Sequence, residues 1–131
     1  MIESASEFVR LRLSENREEY SRAANDAARL EVWTEVIAAY PDMREWVAHN
    51  KTVPISILEL LAGDGNPSVR HAVAMKRKLT RQLFEALTRD PDDSVRARIA
   101  HNAKVPADLL QKLCSDAVPH VADAARSRVG A

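Results

Sequence analysis

This chain has a single cysteine, Cys114, which excludes an intramolecular disulfide framework and any cysteine cluster for zinc or iron–sulfur. Only three of its 131 residues are glycine, and 29% are charged, a composition that points to helix rather than to disorder or an all-β fold. Long apolar runs are missing too: none approaches the roughly 18 residues needed to cross a bilayer. The N-terminus, MIESASEFVR, lacks the basic start and apolar stretch of a secretory signal, so the expectation is a cytoplasmic chain with no membrane partner. There is no overall charge excess either, the formal net charge being zero. That balance hides an asymmetry. Residues 1–42 hold nine acidic and five basic side chains, while 43–131 hold ten acidic and fourteen basic.

What the chain does have is a period of 26 residues. Val69, Val95 and Val121 form one row; Asp64, Asp90 and Asp116 a second; Leu61, Leu87 and Leu113 a third. Residues 53–78 laid over 79–104 without a gap share eight identities, and 105–130 continue in register, with Ala122 where Arg70 and Arg96 stand. Upstream, MREWVAHNK at 43–51 matches VRARIAHNA at 95–103. The chain therefore reads as about three and a half units of one small hairpin, each needing its neighbour to cover its apolar side.

Within a unit, Ile57, Leu58 and Leu61 recur as Leu83, Phe84 and Leu87 and as Leu109, Leu110 and Leu113, the spacing of a first helix. Val69, Val73 and Ala74 recur as Val95, Ile99 and Ala100, the stripe of a second. All six prolines fall between these apolar blocks, and Asn66 and Asp92 are placed to cap the second helices. Residues 1–40 do not follow the period. Ser4 with Glu7 resembles a capping box, and Phe8, Leu11, Tyr20, Ala24 and Ala27 predict two helices ahead of one carrying Trp33 and Ile37. This segment is expected to be an N-terminal helical cap, with repeats over 41–131 in the same continuous domain.

The recurring D-x4-V-R pattern, Asp64 to Val69–Arg70 and Asp90 to Val95–Arg96, resembles the signature of HEAT-type repeats. The short unit and its VR-x2-VA and V-P-x3-L-x2-LA-x-D blocks resemble the leucine-rich repeat variant group more closely still. The resemblance covers residues 40–129 and implies an all-α, right-handed solenoid with a general capacity for macromolecular binding. The cysteine-ligated cluster found in some members has no counterpart here, so no cofactor is implied.

Arg70 and Arg96 each follow an aspartate by six residues, and Asp64, Arg70, Asp90 and Arg96 are expected to form a structural ladder of ion pairs between neighbouring units. His49 and His101 occupy the same register two units apart, about 20 Å if stacked helices lie 8 to 10 Å apart, too far to share a metal ion. Cys114 falls in a small-residue row and reads as a compact filler. Gly63-Asp64-Gly65-Asn66 lacks the closing acid of a calcium loop and reads as a turn. No nucleophile elbow or phosphate-cradling loop appears, and the chain is not expected to be an enzyme.

The rows that refuse to repeat are Trp46, Ala72, Arg98 and Ala124, with Glu45, His71, Ala97 and Asp123 beside them. Free variation predicts exposure, so the expected partner surface lies on the second helices. Glu45, Trp46, His49, His71, Met75, Arg98 and His101 are its candidate contacts with a protein. The alternative is a nucleic-acid surface using the basic cluster Lys76, Arg77, Lys78 and Arg81. Trp46 has a plainer reading as well, packing against Trp33 and the cap.

Overall fold

A computed structural model describes residues 1–130. Among them are ten α-helices and no strand, and the single β-type contact is an isolated bridge between Ile2 and Ala28. The fold is all-α. No helix among the described residues is long and apolar enough to cross a membrane.

The chain divides into two compact units, Met1–Leu61 and Ala62–Ala131. The first contains α1 (Ala5–Leu13), α2 (Arg17–Asn25), α3 (Leu30–Ala39), a 3₁₀ turn (Pro41–Met43), α4 (Arg44–His49) and nearly all of α5 (Ile55–Ala62). The second contains α6 (Pro67–Ala74), α7 (Arg81–Thr88), α8 (Asp93–Ala100), α9 (Ala107–Leu113) and α10 (Pro119–Val129). From α5 onward the first residues of the helices fall at 55, 81 and 107 and at 67, 93 and 119, so both series advance by the 26 residues seen in the sequence.

In the first unit, α1 packs on α2 and α3, and α3 on α4. Phe8 and Trp33 meet edge to face, with ring centroids 5.3 Å apart, inside a core that includes Ile2, Leu11, Val36 and Val47. The Ser4 hydroxyl accepts the Glu7 N–H, while the Glu7 carboxylate accepts the N–H of Glu3, one residue earlier than a standard box. Two of the residues used to predict these helices are not core. Tyr20 is 41% exposed, and Ala27 lies beyond the end of α2, where its carbonyl accepts the Ile2 N–H at 2.8 Å.

In the second unit, α6, α8 and α10 pack side by side, and α7 and α9 form the layer behind them. Helices of seven or eight residues are marginal alone in water, so packing and end contacts must hold them. Two sets of polar contacts recur here. Arg70 donates Nε and Nη2 to the two carboxylate oxygens of Asp90 at 2.8 and 3.1 Å, and Nη1 to the Asp64 carbonyl at 2.8 Å. Arg96 repeats all three bonds at the same lengths to the Asp116 carboxylate and the Asp90 carbonyl. The aspartate six residues earlier thus supplies its backbone, and the aspartate of the following hairpin supplies the charge. Each aspartate also turns its own loop: Asp64, Asp90 and Asp116 accept the N–H groups of Asn66, Asp92 and Val118, each at 2.9 Å.

The second set uses asparagine. Asn102, buried, donates its amide to the carbonyls of Ala74 and Lys76 at 2.8 and 2.7 Å and accepts the Lys104 N–H. These carbonyls lie at and just beyond the end of α6, where intrahelical partners run out. One unit later Arg128 stands in the same register and donates to the carbonyls of Ala100 and Asn102. In the first unit Asn50, also buried, does the same for the carbonyls of Ala23 and Asp26 beside the end of α2. Asn50, Asp90 and Asn102 are the buried polar residues among those described, and all three tie one helix–loop junction to the next.

One expectation is overturned. Ala72 is not exposed but 1% accessible, while Trp46, Arg98 and Ala124 are half-buried. The row flanks the apolar stripe: Ala72 is three residues after Val69 and next to Val73, and therefore shares their face. Variation there reflects tolerance of a small or long-stemmed side chain at the edge of the core.

Two outcomes follow. Asp90→Ala strips a guanidinium that is 13% exposed of its carboxylate and removes a loop bond, so urea denaturation should register a loss of about 3 kcal/mol. The double variant Arg70→Met/Asp90→Leu should recover most of it; a loss below about 1 kcal/mol in the single variant would class the pair as an ordinary surface bridge. The second concerns acid. Hydrogen bonds from Arg96 hold the Asp116 carboxyl below its ordinary value of 3.8, so its stabilising contribution is present above that value and fades as pH falls through the lower folded-state value. Asp116→Asn should flatten the stability–pH curve below about pH 4, measured by denaturant midpoints across that range.

Candidate aromatic and cationic cleft

Trp46 lies on α4, one residue before the buried Val47, so its ring emerges beside the core rather than within it. His49 follows at i+3 on the same helix face, its ring centroid 5.6 Å from that of Trp46 and tilted by 46°. Across from them, Arg12 in the last turn of α1 lays its guanidinium over the indole, the central carbon 3.5 Å from the ring centroid. Tyr20, Ala23 and Ala24 on α2 complete a cleft of about 340 Å³. The two alanines leave the space that larger side chains would fill.

Charge is distributed unevenly around it. Arg10, on the same helix as Arg12, pairs with Glu19, and this contact together with the Ser14 hydroxyl holds the Glu19 carboxyl below its usual range. Arg12 has no such neighbour: among the described residues its one contact of this kind is the Trp46 ring. Glu45 stands one turn before His49, with Oε1 3.9 Å from Nε2. A second depression in this unit is lined by Glu3, Arg29, Glu31, Val32 and Glu35 and has no aromatic wall.

Three of the sequence-predicted contacts, Glu45, Trp46 and His49, are therefore neighbours on one short helix. Trp46 does not stack on Trp33, whose ring pairs with Phe8, but it meets Arg12 of α1. The other four lie in the second unit. His71 is half-buried on α6, and Met75 follows that helix at 43% exposure. Arg98 on α8 is half-buried, with its Nε enclosed and unpaired, and His101 just beyond α8 is exposed. Arg12, Tyr20, Ala23 and Ala24 were absent from the predicted set. They belong to the segment outside the period, where no register exists against which an unusual residue stands out.

The basic cluster is partly spent. Arg81 meets both oxygens of Asp108 and one of Glu85, contacts that raise its pKa. His120 finds Asp93, 27 residues earlier and on α8, and this contact lowers the Asp93 carboxyl. The Cys114 thiol contacts the Leu110 carbonyl at 3.6 Å, four residues back on its own helix.

Comparison with protein-family models, curated proteins and solved structures finds no match for this chain.

The two tryptophans are distinguishable by solvent. Trp33 is 0% accessible and Trp46 is half-buried at the cleft, so acrylamide should quench mainly Trp46. Trp46→Phe should leave blue-shifted, poorly quenched emission. Unchanged quenching in that variant would place Trp46 out of solvent and close the cleft.

Proposed function

We propose that this chain is a non-catalytic interaction module. In this reading it is a right-handed α-solenoid of short HEAT-like, variant-type hairpins, and its second helices form the surface that holds a protein partner. The 26-residue advance of both helix series and the recurrence of the arginine–aspartate bonds support the solenoid, since identical contacts at a fixed interval are what stacked units produce. One observation carries the functional reading: a half-exposed tryptophan on a second helix, flanked by histidine and topped by arginine, beside a cleft left open by two alanines. Tryptophan and arginine are the residues most enriched among those that dominate interface energies. In the second unit, Met75 and His101 are exposed just beyond the ends of α6 and α8.

The test is affinity capture with the full chain as bait, read by mass spectrometry at low and high salt. A protein retained at high salt by the wild type and lost with Trp46→Ala, while the thermal midpoint falls by only a few degrees, is the expected result. A ligand released steeply by salt and insensitive to Trp46→Ala would instead favour nucleic acid on Lys76, Arg77, Lys78 and Arg81.

A further inference from the structure

Resting on that reading, we propose that the Trp46 cleft seats a segment of the protein partner that places an aliphatic or aromatic side chain next to a carboxylate. The shape supplies the first half of this specificity. The cleft is at the small end of the roughly 300–1,000 Å³ typical of ligand pockets, and its walls are the Trp46 indole, the Tyr20 ring and two alanine methyl groups, with Arg12 and His49 completing the lining. An apolar side chain entering it removes Trp46 and Tyr20 surface from water.

Arg12 supplies the second half. Its guanidinium is held over the indole, so the fork is positioned before any ligand arrives, yet among the described residues no carboxylate meets it. Arg10, two residues earlier on the same helix, is neutralised by Glu19. A pre-oriented fork without an acid matches a carboxylate bidentately, and stacking costs it little further freedom when the bond forms. Glu45 beside His49 already supplies an acid on α4, so the partner's carboxylate belongs with Arg12. A basic segment would place like charge against Arg12.

The probe is a phage-displayed library of random linear peptides panned on the full chain, followed by synthetic, end-capped versions of the winners titrated against Trp46 emission. Enriched peptides should carry Asp or Glu adjacent to Leu, Phe or Trp. Replacing that acid by its amide in the peptide should weaken binding about tenfold. Arg12→Gln should weaken the acidic peptide by a similar factor, and Arg12→Glu should shift enrichment to Lys or Arg beside the apolar residue. The amide swap on the peptide keeps the test valid should either protein variant fold poorly. Winners without an acid, or an acidic peptide indifferent to its own amide swap, would overturn the proposal. Partner capture that is lost in Trp46→Ala but unchanged in Arg12→Gln would overturn it while leaving the interaction reading standing; capture unchanged in both would sink the two together.

Discussion

The second unit depends on a guanidinium that reaches from one hairpin to the next. Arg70 and Arg96 each bind a carboxylate 20 residues ahead and a carbonyl six residues behind, so a single side chain measures the offset between successive hairpins at three points. Hydrophobic contact among Val69, Val95 and Val121 supplies the attraction but is non-directional, and a slide along the helix axis would cost it little. A bidentate pair does not slide. With both partners largely withdrawn from water, most of the Coulombic gain is offset by desolvation, and what remains is geometric specificity. Because the same aspartates also accept the N–H two residues on, hairpin offset and loop shape are set by one group.

Asparagine solves a different problem. Short helices leave a large share of their carbonyls without intrahelical partners, and in a packed array those ends are covered by the next hairpin rather than by water. Asn102 meets two such carbonyls at once and spends its remaining oxygen on the Lys104 N–H. Arg128 performs the same double donation with one nitrogen in the last hairpin, where Gly130 is the final residue described. Ala122 stands in this hairpin where Arg70 and Arg96 stand in the two before it.

Much of this was legible in the sequence because a repeat compares each residue with its equivalents. The helices of 53–130, their proline-marked starts and the caps Asn66 and Asp92 all follow from rows of like residues, and the two caps accept the N–H groups of Ser68 and Ser94 as expected. Sequence reasoning failed where the answer depends on how hairpins sit on one another. The aspartate six residues before each arginine is its visible companion, but the charge partner is the one 20 residues later, and only packing decides between them. The sequence draws attention to His49 and His101, yet the buried, structural residue at each place is the asparagine that follows, Asn50 or Asn102. Ala72 was misread because variability was taken for exposure, when the edge of a core accepts alanine, tryptophan or an arginine stem equally well.

The cleft escaped the same comparison for a related reason. Residues 1–40 have no register, so nothing marks Arg12 as different from Arg10; only the fold shows one beside Glu19 and the other on an indole. The contrast also bears on where binding chemistry can reside. In the hairpins of the second unit, Arg70 and Arg96 are consumed by holding neighbours together, and Arg81 by Asp108 and Glu85. A side chain committed to a neighbour's carboxylate has little left for a ligand. On α1, by contrast, Arg12 is a cation that meets no acid among the described residues. A specific contact therefore has more room on α1, where a guanidinium faces an indole, than among arginines already spent on neighbouring carboxylates.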